Sequence, residues 1–260
     1  MDLTDNVAIV TGGARGIGRG IAHCLAEAGA HVAIADLPEA RDDALQTAAG
    51  IEALGRRALV VDVDVRSEHQ VQSAVQTVIE SLGRLDILVN NAGVVRVGRA
   101  ETLPETAWDL VLDVNLKGTF LCSKAVIPQM TAQKSGRIVN ISSIAGKTGP
   151  PGLTAYTASK FGVVGFTQSL ARELAPANVT VNAVCPGEVR TAMWEDVLLP
   201  AMSHVRHEPR EATFDKVIKE WVPLGRPQTP EDIGECVVYL CRADNVTGVA
   251  INVAGGSEMH

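Results

Sequence analysis

The stretch Val7-Ala8-Ile9-Val10-Thr11-Gly12-Gly13-Ala14-Arg15-Gly16-Ile17-Gly18 decides how the rest of the chain is read. It opens as a short apolar run of the kind a strand shows when both of its faces are covered. Glycines then break the run, and a stretch of helical period follows from Gly16 to Ala28. In the order strand, turn, helix, such glycines let the backbone bend sharply and approach a diphosphate, whose charge rests on the helix N-terminus. The turn is therefore a candidate dinucleotide site, with Gly12, Arg15, Gly16, Ile17 and Gly18 as its candidate contacts.

The same strand pattern recurs along the chain. HVAIAD from His31, ALVVDVDV from Ala58, LDILVNNAG from Leu85, RIVNISS from Arg137, VTVNAVCPG from Val179 and AINVAGG from Ala250 bring the number of runs to seven. Between them lie stretches of helical period, among them Glu39 to Leu54, Ser67 to Leu82 and Pro104 to Met130. Strands alternating with helices imply parallel β-α-β units, so the predicted fold is α/β: one doubly wound parallel sheet of seven strands with helices on both faces. No linker interrupts the pattern, which predicts a single domain over 1–260. The segment from Thr191 to Arg226 breaks the rhythm with mixed polarity and with Met193, Trp194 and Trp221, and reads as a helical insertion beside the pocket.

Composition narrows the partners. The chain has 260 residues, 46% hydrophobic and 20% charged, with a formal net charge of −7 and no basic run. A polyanionic backbone or an anionic membrane is a poor match for that balance, and a small molecule is the expected ligand. The first residues carry neither a basic nor an apolar leader, and no apolar run reaches spanning length. Five scattered cysteines, Cys24, Cys122, Cys185, Cys236 and Cys241, lack metal-type spacing and read as reduced thiols. A cytoplasmic location is the expectation.

Eighteen residues beyond Gly18 stands Asp36, closing the second strand. An acidic side chain there would accept from the adenosine ribose hydroxyls and repel a 2′-phosphate, which favours NAD over NADP, although Arg15 in the turn could attract such a phosphate. Further on, Tyr156 and Lys160 are four residues apart, the spacing that puts two side chains on one helix face. A phenol titrates near pH 10, too high for a base near neutrality, but an adjacent ammonium and an oxidised nicotinamide both favour the phenolate.

With the glycine turn, NNAG at Asn90 to Gly93, Asn115 in DVNLKG, NISS ending at Ser143, Tyr156-x-x-x-Lys160 and CPG at Cys185 to Gly187 in this order, the chain resembles the short-chain dehydrogenase/reductase family over essentially its whole length. The resemblance implies a Rossmann fold and an oxidoreductase that exchanges hydride between a nicotinamide cofactor and an alcohol or ketone. It implies Tyr156 as the proton-transferring group, Ser143 rather than Ser142 as the hydroxyl holding the substrate oxygen, Lys160 on the ribose and beside Tyr156, and Asn115 completing a proton relay. It also implies cofactor contacts at Asp64, Val65, Asn91, Gly93, Pro186, Gly187, Val189 and Thr191, with Asn90 structural, and a homotetramer packed through the helices bearing Phe120 and Tyr156. The sequence departs from the common family pattern at Ala254, where Asp is frequent, and at Asn178, where Gly is frequent.

The segment PGEVRTAMWED resembles those of diol, polyol and acetoin-type dehydrogenases of the family, and Glu188 either accepts a second substrate hydroxyl or faces solvent. A 3-oxoacyl-thioester reductase using NADPH is the main alternative. A nucleotide-sugar epimerase or dehydratase and a non-catalytic NAD(H)-binding redox sensor are the rivals from other classes. His204 and His207 with Glu208 lack further ligands and read as a solvated helix face, so no metal is expected.

Overall fold

The seven apolar runs become strands because each is short, rich in β-branched residues and bounded by polar or glycine-containing turns. In a computed structural model, which describes residues 2–260, they are β1 (Val7–Thr11), β2 (His31–Asp36), β3 (Ala58–Asp62), β4 (Ile87–Asn90), β5 (Gly136–Ile141), β6 (Val179–Pro186) and β7 (Ala250–Val253). They lie in one sheet in the order β3-β2-β1-β4-β5-β6-β7, and every neighbouring pair is parallel. Parallel neighbours require crossovers, supplied here by α1 (Gly16–Glu27), α2 (Arg41–Ala53), α3 (Glu68–Leu82), α4 (Glu105–Leu112), α5 (Gly118–Gln133), α6 (Thr154–Leu174) and α9 (Pro230–Arg242), with α7 (Leu199–Arg206) and α8 (Arg210–Trp221) preceding α9.

Alternation along each strand divides the core in two. On β1, Val7 and Ile9 join Val75, Val78, Val126, Met130, Leu170 and Leu174, which places α3, α5 and α6 on one face. Ala8 and Val10 join Ile21, Leu25, Ile51, Ile233, Val237 and Leu240, which places α1, α2 and α9 on the other. The doubly wound α/β sheet read from the sequence is the fold observed.

Strand order reverses between β1 and β4, the point at which a parallel sheet of this kind leaves a crevice outside the carboxyl ends of its strands. The Thr11 hydroxyl stitches its floor, accepting from the backbone N–H groups of Asn91 (3.0 Å) and Ala92 (3.1 Å).

Two stretches depart from the simplest reading. The helical pattern from Pro104 to Met130 is not one helix, because the π-helical turn Asp113–Lys117 separates α4 from α5. The segment from Thr191 to Arg226 contains the π-helical turn Trp194–Leu198 followed by α7 and α8. This segment, proposed below to act as a lid, carries a small core of its own, Leu199, Phe214, Ile218 and Val222, with Trp194 packed against it. Asn178, just before β6, takes the left-handed conformation with φ 57°, which Asn tolerates better than most residues other than glycine.

Candidate active site

The glycine turn joins β1 to α1. Gly12 and Gly16 have φ of 62° and 56°, values that a residue with a Cβ adopts only with strain. A Cβ on Gly18 would stand 2.0 Å from the Gly12 carbonyl oxygen, so the turn can close only around glycine. The Asn91 side chain fastens it from the other side of the crevice, its Nδ2 donating to the carbonyls of Thr11 and Gly12, each at 2.9 Å. A Cβ on Gly16 would lie 3.5 Å from the Thr191 methyl, so the turn and the loop after β6 face each other across a gap kept open by the missing side chain. The cradle fits a diphosphate: bare backbone at the N-terminus of α1 and no acidic residue in its first turn.

Asp36 ends β2 at the rim of this turn. Its Oδ2 accepts from the Ala14 N–H (3.0 Å) and its Oδ1 from the Leu37 N–H (2.9 Å), which aims the carboxylate while leaving each oxygen a further lone pair. The neighbouring cations have acidic partners: Arg15 lies 4.0 Å and Arg19 3.6 Å from Asp43, and Arg41 is 2.7 Å from Asp62.

Deeper in the crevice, Tyr156 and Lys160 occupy successive turns of α6 with the Lys160 Nζ 5.5 Å from the phenol ring centroid. Lys160 is buried, and its Nζ donates to the Ile141 carbonyl at the end of β5 (2.8 Å). The two adjacent serines divide. Ser142 is buried and its Oγ donates to the Lys160 carbonyl (2.9 Å), facing the helix backbone. Ser143 accepts at Oγ from the Ala145 N–H (3.1 Å), and its hydroxyl acts on the Tyr156 phenol, whose pKa it lowers.

Asn115 sits within the π turn between α4 and α5. Its side chain spans the crevice wall, Oδ1 accepting from the Val94 N–H (2.8 Å), and Nδ2 donating to the Val94 carbonyl (2.9 Å) and to the Ser159 Oγ (3.0 Å). Ser159 in turn donates to the Tyr156 carbonyl (2.7 Å). Ser159 is a site residue that the sequence reading passed over although it lies inside Tyr156-x-x-x-Lys160. Gly93 completes the group: a Cβ there would lie 3.5 Å from Asn115 Oδ1 and 3.6 Å from Lys160 Nζ, so a side chain would enter the space beside the ammonium.

Burial dominates the protonation of both central groups. It pushes the Tyr156 phenol up to about 12, against the Ser143 hydrogen bond that lowers it. It pushes the Lys160 ammonium down to about 8. Desolvation disfavours the charged form, which is the phenolate for one group and the ammonium for the other. Close as they stand, each is held toward neutrality by the apolar surroundings.

The remaining candidates are distributed unevenly. Pro186 ends β6, the Gly187 N–H donates to the Val253 carbonyl (3.0 Å), Val189 is buried in the core, and Thr191 overhangs the glycine turn. Val65 is buried against Gly118, so any contact it makes across the crevice is through its backbone. The Asp64 carboxylate is taken by Arg66 at 2.6 Å, which lowers its pKa. Asn90 is buried and donates to Ser123 Oγ and Asn140 Oδ1, a purely internal arrangement. Glu188 does not face solvent. It is 2% exposed, beneath the chain end, where Ser257 Oγ donates to it (3.2 Å), and burial raises its pKa. His204 and His207 are exposed and Glu208 is paired with Lys216; among the described residues no cluster of three metal-ligating side chains occurs.

Comparison with known proteins follows the same lines. The family model described as short chain dehydrogenase matches residues 6–200. A 3-oxoacyl-(acyl-carrier-protein) reductase of Synechocystis sp. is 39% identical over 260 residues, covering 99% of this chain and 98% of its own. A crystal structure of NAD+-bound xylitol dehydrogenase superposes with a TM-score of 0.92 at 32% identity, covering 98% of this chain and all of that one. Carveol dehydrogenase from Mycobacterium avium in complex with NAD gives the same TM-score and identity, covering 98% of both chains.

Proposed function

This chain belongs to the short-chain dehydrogenase/reductase family, and from that premise we propose that it transfers hydride between NAD(H) and a secondary alcohol or ketone, a diol, polyol or acetoin-type compound being the substrate class. The observation that carries the reading is the pairing of Tyr156 and Lys160 on successive turns of α6, with Nζ 5.5 Å from the phenol ring centroid. That the chain is an oxidoreductase with a nicotinamide cofactor follows from its family; the substrate and the preference for NAD are the proposal. Asp36 supports NAD, as do the two NAD-bound structural neighbours.

The glycine turn would hold the diphosphate, Asp36 the adenosine ribose, and Lys160 with Tyr156 the nicotinamide ribose. When bound, the nicotinamide supplies the hydride or receives it. The protein's own task is the proton. Tyr156 Oη gives it to a carbonyl oxygen or takes it from a hydroxyl, and the Ser143 hydroxyl holds that same oxygen in place. With its phenol raised to about 12, Tyr156 suits the acid role as the chain stands, and acts as base only with additional positive charge beside it. Lys160, lowered to about 8, can hold or release a proton near neutrality at Nζ, beside the phenol ring that it faces at 5.5 Å.

The second reading, a 3-oxoacyl-thioester reductase using NADPH, is favoured by the Synechocystis relative. Absorbance at the reduced-nicotinamide band, with both cofactors and a panel of polyols, acetoin-type compounds and 3-oxoacyl thioesters, separates the two. Tyr156→Phe tests the site: turnover should fall about 10²- to 10⁴-fold while NADH binding, followed by fluorescence, stays near that of the wild type. Activity within a few-fold of wild type would remove Tyr156 from the mechanism. We further propose a cytoplasmic homotetramer; for the assembly, the exposed aromatics Trp108 on α4, Phe120 on α5 and Phe161 on α6 supply apolar surface on the helices expected to pack across subunits. Light scattering from the eluting protein reads the mass directly.

A further inference from the structure

Arg190 lies in the loop after β6, between Val189, which is buried in the main core, and Thr191, which overhangs Gly16 of the cofactor turn. Its guanidinium leaves this loop and enters the lid. There Nε donates to Glu195 in the π turn Trp194–Leu198 and a terminal nitrogen donates to Glu211 in the first turn of α8. Its Cζ stands over the Phe214 ring, 4.9 Å from the centre, and Phe214 meets Trp194 edge-on at 5.6 Å. One side chain thus holds two separate pieces of the lid, and touches the aromatic centre of the lid's own core, from a loop whose next residue faces the glycine turn.

The geometry points to Arg190 as a positioning residue that fixes the lid against the cofactor cleft, acting on how firmly cofactor and substrate are held rather than on proton transfer. A planar fork suits the place, because it can bond two carboxylates at its edge while stacking on an aromatic face, which an ammonium cannot do together. The guanidinium side chain is 41% exposed, so each ion pair alone would be weak and sensitive to salt. Its value lies in the pairing of two anions that otherwise have each other as neighbours: without Arg190, Glu195 and Glu211 repel, and the small cluster of Leu199, Phe214, Ile218 and Val222 loses its polar tie to the sheet.

The inference rests on the proposed dehydrogenase reading for its kinetic consequences, and its direct test is binding. In Arg190→Met the dissociation constant of NADH, read from its fluorescence, and the KM of substrate should each rise about 10-fold or more, while the pH profile of kcat keeps its wild-type shape. Protease cleavage within 192–224 should become faster, and NADH should protect less against it. Wild-type NADH affinity should weaken between about 0.01 M and about 1 M salt, and that of Arg190→Met should not change in step. Adding Glu195→Gln and Glu211→Gln to Arg190→Met should restore part of the affinity by removing the repulsion, which a merely structural loss would not permit. Should Arg190→Met fail to fold, the Glu195→Gln, Glu211→Gln pair with Arg190 intact must show the same rise in the NADH dissociation constant. Binding and KM within two-fold of wild type, or a change confined to the pH profile, would overturn the assignment. If no alcohol or ketone is turned over by the wild type, yet the NADH dissociation constant still rises in the variant, the activity reading falls and the role of Arg190 stands.

Discussion

Replacing Lys160 by Met should abolish activity and at the same time make the fold more stable near neutral pH. The Lys160 side chain is 4% exposed, and burial pulls its pKa from 10.5 to about 8. For a base with a depressed folded pKa, the unfolded chain takes up the proton first as pH falls. Stability is therefore lost between about 10.5 and about 8, the full penalty is present below that window, and none is present above it. With about 1.36 kcal/mol for each pH unit, a fall from 10.5 to about 8 amounts to about 3 kcal/mol. Met fills nearly the same length without a charge to desolvate, but leaves the Ile141 carbonyl without its 2.8 Å donor, at a cost of about 1 kcal/mol. The net gain at neutrality is about 2 kcal/mol, on the order of 5 °C in melting midpoint for a chain of this size.

The assay is urea unfolding of both proteins at pH values from about 7 to about 10.5, paired with NADH titration. The variant should be the more stable below pH 8, the difference should shrink as pH rises, and near 10.5 the wild type should regain the advantage of its hydrogen bond. NADH affinity should fall throughout. A variant less stable at pH 7, or a difference that does not move with pH, would refute the reasoning that Lys160 is a strained, desolvated ammonium. The expected result would place Lys160 among residues retained for function at a cost in stability.

Most of the frame was legible in the sequence because it depends on local signals. Buried parallel strands are continuous apolar runs, and the glycine turn must be glycine where φ is positive at Gly12 and Gly16 or where Gly18 nearly touches the Gly12 carbonyl. The start of α9 was equally legible in principle, since Thr229 and Asp232 form a capping box with Pro230 between them. What the sequence did not yield depends on contacts distant along the chain. Glu188 is buried because Ser257, 69 residues away, folds over it. The Asn91 amide fastens the glycine turn from 80 and 79 residues away, a contact that the NNAG motif around it does not by itself announce. The helical period from Pro104 to Met130 continues smoothly through a π turn, because one extra residue in a turn shifts the apolar stripe without breaking it. Only the poor helix former Asn115, whose amide bonds Val94 and Ser159 instead of solvent, marks the place.

Two substitutions at the adjacent serines should separate chemistry from packing. Ser143→Ala should cost about 10²-fold or more in kcat with little change in stability, whereas Ser142→Ala, which removes the 2.9 Å bond to the Lys160 carbonyl, should cost about 1 kcal/mol in urea unfolding and far less in rate. The reverse pattern would exchange their roles. The cofactor preference is tested at Asp36, whose carboxylate is aimed by the Ala14 and Leu37 N–H groups. Asp36→Ala removes both the acceptors for a ribose diol and the repulsion of a ribose phosphate. If each change is worth about 1.5 kcal/mol, kcat/KM for NAD relative to NADP should swing by roughly 10²-fold. Arg15, exposed and 4.0 Å from Asp43, is free to turn toward the incoming phosphate and enlarge the gain for NADP, so adding Arg15→Ala should give part of it back. Steady-state kinetics with both cofactors for the wild type and the two variants decide the matter: a wild type that prefers NADP, or an Asp36→Ala variant with unchanged preference, would show that the selecting residue lies elsewhere.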